Sequence, residues 1–202
     1  MARAGLPGPA APAAGDIFHT NSLELLDGRL ADRSPAFRAG NILLSVRELD
    51  TIAVLDPRSE TIVWAARGGW SRQHEPTVLD NGHLLLFDNL GCEGRSRVLE
   101  FDPVSLDVVW QYANSPETPL YSKTCCAARR LANGHTLIIE SDNGRALEVT
   151  DGKRIVWEYY NPYRAGKQRE LIAAILDMEI LPDNSMPLWL QDSPTGIDLH
   201  TP

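Results

Sequence analysis

Apolar and polar residues alternate in short runs along this chain, and the clearest set lies between Gln73 and Trp110. Within QHEPTVLDNGHLLLFDNLGCEGRSRVLEFDPVSLDVVW, four runs follow one another: Thr77–Leu79, His83–Phe87, Arg97–Phe101 and Asp107–Trp110. Each is rich in Val, Leu, Phe or Trp, and turn chemistry separates them, with Asn81-Gly82 as a hairpin dipeptide and Asp102-Pro103 at the third turn. The pattern predicts four antiparallel strands in a meander.

The same unit recurs. The end of its first strand reads LLDG at Leu25–Gly28, VLDNG at Val78–Gly82, RLANG at Arg130–Gly134 and ILPDN at Ile180–Asn184. The anchor leucines Leu26, Leu79, Leu131 and Leu181 fall 53, 52 and 50 residues apart, and the closing tryptophans Trp64, Trp110 and Trp157 fall 46 and 47 apart. Two independent markers thus give a period of about 50 residues, the length of a four-stranded propeller blade. The expected fold is all-β: a partial β-propeller of about three four-stranded antiparallel blades plus the first strand of a fourth. The blades span about 19–67, 73–112 and 125–160, and the next begins at 171. Leu171–Leu181 has helix-forming content, but the alignment of Leu181 with the other anchors argues for a strand. Residues 1–15 read as a flexible lead-in, because Pro and Gly interrupt any apolar stretch, and residues 183–202 as a polar, Pro-broken tail. Three and a fraction blades do not close a ring, so the chain reads as a fragment of a longer propeller, with self-association through its open blade ends as a further expectation.

Composition narrows the function classes. With 43% hydrophobic and 23% charged residues the chain is ordinary globular material. Its 27 acidic against 19 basic residues give a formal charge of −8 with no basic run, which argues against nucleic acid. No apolar stretch approaches the roughly 18 residues of a membrane helix. Three cysteines lack zinc spacing; Cys125 and Cys126 are adjacent, so pairing with Cys92 or a reduced state is expected over a strained bridge between neighbours. Neither a metal nor a cofactor is expected, and the compartment stays open.

Several stretches carry a family resemblance: DIFHTNS at Asp16–Ser22, VRELDTIAVLDP at Val46–Pro57, QHEP at Gln73–Pro76, LLLFDNLG at Leu84–Gly91, SRVLEFDP at Ser96–Pro103 and GRALEVTDGKRIVWEYYNP at Gly144–Pro162. Together they resemble the bacterial arylsulfotransferases over about Asp16–Pro162. The resemblance implies a six-bladed propeller that moves a sulfuryl group from an aryl sulfate to a phenol through a histidine, and members of the family are often exported.

Chemistry makes that implication specific. Sulfuryl transfer passes through a loose transition state with charge on the non-bridging oxygens, so it needs positioning, donors and cations. A neutral imidazole can attack at pH 7 or, protonated, serve a phenolate leaving group, and arginine offers a planar fork to a sulfate. First strands line a propeller channel, and His19 and His74 each begin one. The expected catalytic set is His19, His74 and Arg97, converging on one sulfate at the channel mouth, with Asn21, Gln73 and Asn89 as substrate-binding residues. Against these stand local readings: an exposed loop for His74, an ion pair with Asp88 or Glu100 for Arg97, and turn or cap roles for Asn21, Asp88 and Asn89. His83 and His135, each following an Asn-Gly turn, read as structural, and the three closing tryptophans as core residues. Counting back five from Leu131 finds Cys126 where Leu79 has His74, so a further channel histidine is missing. Either it lies elsewhere, or the chain keeps a pocket without transfer chemistry.

Two other classes remain. The strand pairs AVLDPRSETIVW and LEFDPVSLDVVW also resemble quinoprotein blades, in which a vicinal cysteine pair sits beside pyrroloquinoline quinone, although those enzymes have eight blades. A non-catalytic propeller serving as a ligand or protein platform is the third reading.

Overall fold

The computed structural model describes residues 15–181. Three four-stranded antiparallel sheets follow one another, each in simple sequence order. The first holds β1 (Thr20–Leu25), β2 (Ile42–Val46), β3 (Thr51–Asp56) and β4 (Thr61–Arg67). In the second are β5 (His74–Val78), β6 (Leu84–Cys92), β7 (Arg95–Phe101) and β8 (Val108–Ala113). The third comprises β9 (Ala127–Arg130), β10 (Thr136–Glu140), β11 (Arg145–Val149) and β12 (Ile155–Tyr160). The innermost strands β1, β5 and β9 lie side by side, as propeller blades require.

Period-2 patterning puts alternate residues of each sheet on opposite faces, and both faces of the middle sheet are buried. Leu84, Leu86, Leu99 and Phe101 pack against Leu43, Ile52 and Val54 of the first blade. Their strand neighbours Leu85, Phe87 and Val98 pack against Ala128, Ile138 and Leu147 of the third. The long first turn has a packing reason, since Leu30 and Phe37 fold back from it into the first joint and Phe37 meets Trp64 edge-on at 5.1 Å.

The Asn-Gly turns close as three-residue loops. Gly82 N–H donates to Leu79 O at 2.9 Å and Leu79 N–H to His83 O at 2.9 Å, and of the loop residues only Gly82 has positive φ. A two-residue type I′ turn would need two such residues; a type I turn plus one left-handed glycine needs one. Leu131–His135 repeats this geometry, whereas in the Thr150–Arg154 turn the left-handed residue is Lys153 in place of Gly152. His83 and His135 are structural, as expected: each ring Nδ1 meets a third-strand carboxylate, Glu100 at 2.8 Å and Glu148 at 2.5 Å.

Each joint is fastened by its closing tryptophan. Trp110 is 9% exposed, its Nε1 donates to Asp151 O of the next blade at 2.8 Å, and the Arg130 guanidinium lies over its ring at 5.1 Å. Trp157 departs from the expected core role. It is 42% exposed and stacks only on Tyr159, because no sheet of a following blade covers it among the described residues. After β12 the chain forms a small ladder of β13 (Arg164–Ala165) and β14 (Leu171–Ile172), then runs on without helix to Leu181. Ile175 and Met178 cover Ala127, Leu137, Ile139 and Ala146, while Arg129 holds Asp177 at 2.6 Å and Glu179 at 3.1 Å. The expected strand at 171 is therefore two residues long, and the segment after it packs on the third blade without joining a sheet. The tail at 183–202 lies outside the described residues.

Candidate functional site

A bulge prepares the site. Between β5 and β6 the register shifts from His74↔Phe87 to Thr77↔Leu85, so Glu75 and Pro76 carry the irregularity, and Glu75 is left-handed at φ 44. Bulges re-aim side chains in this way. Glu75 lines a cavity of about 800 Å³ that runs along the innermost strands, together with Glu24, Val78, Arg129 and Arg130. His74 is not among the lining residues. Its ring turns toward Asn89, at the side of the second sheet that faces the third, while Glu75 beside it lines the cavity.

His74 is 8% exposed, and its Nδ1 lies 2.8 Å from Asn89 Oδ1 and 3.1 Å from Arg72 O. Both partners are acceptors, so Nδ1 carries the hydrogen. Among the described residues no hydrogen bond reaches Nε2, which in the neutral ring holds the lone pair. Burial depresses the His74 pKa; the bonds to Asn89 and Arg72 work against that shift, and the charges of Arg47 and His19 add to it. The ring is therefore neutral at pH 7.

Asn89 is fully buried, and its Nδ2 donates to Ser122 O at 2.8 Å and Cys125 O at 3.0 Å. Its carboxamide has no atom left for a substrate. Gln73 is fully buried too: its Nε2 donates to Thr51 O at 2.9 Å and Ser45 Oγ at 3.1 Å, and its backbone carbonyl accepts from Asn21 Nδ2 at 2.9 Å. Asn21 and Gln73 thus clamp the first blade to the second beneath His74.

Arg97 does not join this group. Its partner across the ladder is Asp88, whose side chain points to the first-blade side of the sheet, opposite Asn89. Arg97 Nε donates to Asp88 Oδ2 at 2.8 Å and its NH2 to Gly69 O. Asp88 also accepts from Ser71 N–H at 2.9 Å and Gly91 N–H at 2.8 Å. Burial raises the Asp88 pKa, opposed by Ser71, Arg97 and Gly91. His19 is exposed, left-handed at φ 45, with its Nδ1 2.7 Å from Asp16. It lies near enough to His74 for its charge to be felt there. The cation that acts most on His74 is Arg47, which shares Glu48 with Arg72 at 2.5 and 3.1 Å.

Cys126 occupies the repeat position of His74, with its Sγ 3.5 Å from Asn89 Oδ1. Burial pushes its thiol far above the ordinary range. All three cysteines are free, which agrees with the reduced state. Left-handed residues gather where the first strands begin: His19, Arg72, Glu75, Cys125 and Cys126 all have positive φ. Backbone held in such conformations costs on the order of 1–3 kcal/mol per residue and collects at functional sites. Among the described residues, no cluster of three His, Cys, Asp or Glu is placed to hold a metal, and no helix is long and apolar enough to cross a membrane.

Comparison with known proteins agrees with the architecture. A family model described as Arylsulfotransferase (ASST) matches residues 8–162. No curated protein matches the chain. Among solved structures, the WD40 β-propeller domain of Doa1 is similar at TM-score 0.50 and 14% identity, covering 71% of this chain and 41% of that one. Virginiamycin B lyase from Staphylococcus aureus is similar at TM-score 0.48 and 14% identity, over 74% of this chain and 43% of that one. BamB from Moraxella catarrhalis is similar at TM-score 0.40 and 17% identity, over 65% and 38%. The chain spans about two fifths of the length of these proteins.

Proposed function

Because the chain belongs to the arylsulfotransferase family, we propose that it transfers a sulfuryl group from an aryl sulfate to a phenolic acceptor, with His74 Nε2 as the attacking atom. The observation that carries this reading is a buried, neutral histidine whose Nδ1 is occupied by two acceptors while Nε2 keeps its lone pair. In the first half-reaction Nε2 attacks sulfur, an N–S bond forms, and the S–O bond to the aryl group breaks with its electron pair going to the phenolate. In the second the acceptor oxygen attacks sulfur, the N–S bond returns its pair to Nε2, and the acceptor's proton ends on the departed phenolate. The exposed His19 is the group proposed to carry that proton, and Arg47 supplies positive charge toward the sulfate oxygens. Arg97 acts at one remove, holding Asp88 and through it the 69–72 and 91 backbone.

The test is transfer from 4-nitrophenyl sulfate to phenol. His74→Ala is expected to lower turnover about 10²-fold or more, the usual scale for losing a positioned acid–base or donor group. His83→Ala, which alters only the turn network, should stay within a fewfold. Equal losses in the two variants remove the assignment.

One observation favours a binding protein without transfer: Cys126 stands where the repeat would put another histidine, buried and with its thiol pKa raised. Aryl sulfate binding without turnover would support that reading. The quinoprotein reading loses its support, since Cys126 is buried against Asn89 while Cys125 faces solvent, and the pair presents no common face to a planar ring.

A further inference from the structure

We infer that Asn89 is the positioning residue of the site, and that the segment leading into the third blade, acting through it, fixes which nitrogen of His74 is free to react. The inference rests on the reading of His74 as the attacking group and adds what sets its reactive atom.

The argument begins outside the site. The segment between the second and third blades presents two main-chain carbonyls, Ser122 O and Cys125 O, to one buried carboxamide. Carbonyls only accept, so the amide must turn its NH₂ toward them and can adopt one orientation only. That orientation aims Oδ1 at His74, 2.8 Å from Nδ1. An oxygen there demands a donor, so the hydrogen of the neutral imidazole sits on Nδ1 and the lone pair on Nε2. Arg72 O favours the same tautomer from 3.1 Å, a longer contact from a residue only two positions away in the chain. The Asn89 bond reaches across the ladder from β6 and fixes the plane of the ring as well as its tautomer.

Aspartate would not replace asparagine here. Its second oxygen would face the two carbonyls, three acceptors with no hydrogen among them, and its charge would draw a proton onto the ring. An asparagine gives the orienting effect of the carboxylate–histidine pairs of hydrolases while leaving the imidazole neutral.

Cys126 belongs to the same network. Where the repeat would place a second histidine, the thiol lies 3.5 Å from the same Oδ1, buried with it. Cys125 and Cys126 have φ of 53° and 113°, a backbone course that accompanies the turn of the Cys125 carbonyl toward Asn89. The strained pair thereby acquires a role: the segment leading into the third blade contributes the frame that holds the second blade's histidine.

Asn89→Ala and the near-isosteric Asn89→Asp test this in ¹⁵N-histidine-labelled protein. Long-range ¹H–¹⁵N correlation at pH 8 should show the wild-type His74 as the Nδ1–H tautomer. In Asn89→Ala the Nε2–H form should rise to a substantial share, and kcat for 4-nitrophenyl sulfate should fall about tenfold or more with KM within threefold. In Asn89→Asp the His74 titration should move to higher pH than in the wild type. An unchanged tautomer in Asn89→Ala, showing that Arg72 suffices, overturns the inference, as does an unchanged titration in Asn89→Asp should the alanine variant fail to fold. The spectroscopic result stands apart from turnover: a wild-type chain with the Nδ1–H tautomer and no transfer activity removes the catalytic reading while leaving the positioning of the ring intact.

Discussion

Truncation of Trp110 is expected to be among the most damaging single changes outside the site, and the repeat provides its own control. The ring is almost wholly buried between the second and third blades, donates to Asp151 O at 2.8 Å and lies under the Arg130 guanidinium at 5.1 Å. Cutting a buried aromatic to alanine costs about 3–5 kcal/mol. Within that, the indole hydrogen bond accounts for about 1 kcal/mol and the cation contact for about 0.5–1 kcal/mol. Trp110→Phe, which keeps most of the packing, should therefore cost about 1–2 kcal/mol. Trp157 holds the same place in the third blade with neither fastening, and Trp157→Ala forfeits chiefly its stacking on Tyr159, worth about 0.5–1.5 kcal/mol. Urea unfolding followed by far-ultraviolet circular dichroism reads the three variants on one scale. Should Trp157→Ala prove as costly as Trp110→Ala, or Trp110→Phe cost nothing, the joint is not held as described.

Because the folded-state pKa of His74 is depressed, the unfolded chain takes up the proton first: stability should be full above about pH 6.5 and decline as pH falls from there toward the folded value, and the slope in this window should flatten in His74→Gln, an unaltered slope refuting the burial argument. Native protein should lose its exposed Cys125 thiol to a maleimide quickly while Cys126 survives until denaturant is added, and equal rates would contradict the buried, high-pKa environment. Leu23 and Leu25 are 70% and 72% exposed, although their repeat partners Val78 and Ala128 are buried against a preceding blade, so the chain should self-associate in sedimentation and a Leu23→Glu/Leu25→Glu variant should not; a monodisperse wild-type monomer would refute this.

The blades were legible because their determinants are local. Alternation, Asn-Gly turns and closing tryptophans each act within a few residues, and a repeat multiplies the signal. The long first turn was visible as an interruption, but its purpose was not, since Leu30 and Phe37 show their use only when the neighbouring sheet is present. The site was less legible for a related reason. Asn89 meets carbonyls 33 and 36 residues later in the chain, and nothing in its own strand announces them. For Arg97 the sequence offers an ion pair with either Asp88 or Glu100, and the register decides for Asp88, which lies directly across the ladder and neutralises it. Glu75 lies in a bulge, where the ladder departs from strict alternation, and nothing in the sequence of the strand marks that irregularity.

The surroundings of His74 are drawn from three successive repeats: Thr51 and Ser45 brace Gln73 from the first, Asn89 comes from the second, and the carbonyls of 122 and 125 lead into the third. The repeats are alike in backbone and unlike in office. A duplicated middle repeat would carry its histidine into a neighbourhood lacking the other two contributions, and exchanging two repeats would preserve the architecture while dispersing these contacts. The contacts around His74 belong to the ordered triplet, so the repeats of this chain are not interchangeable copies but parts with fixed addresses.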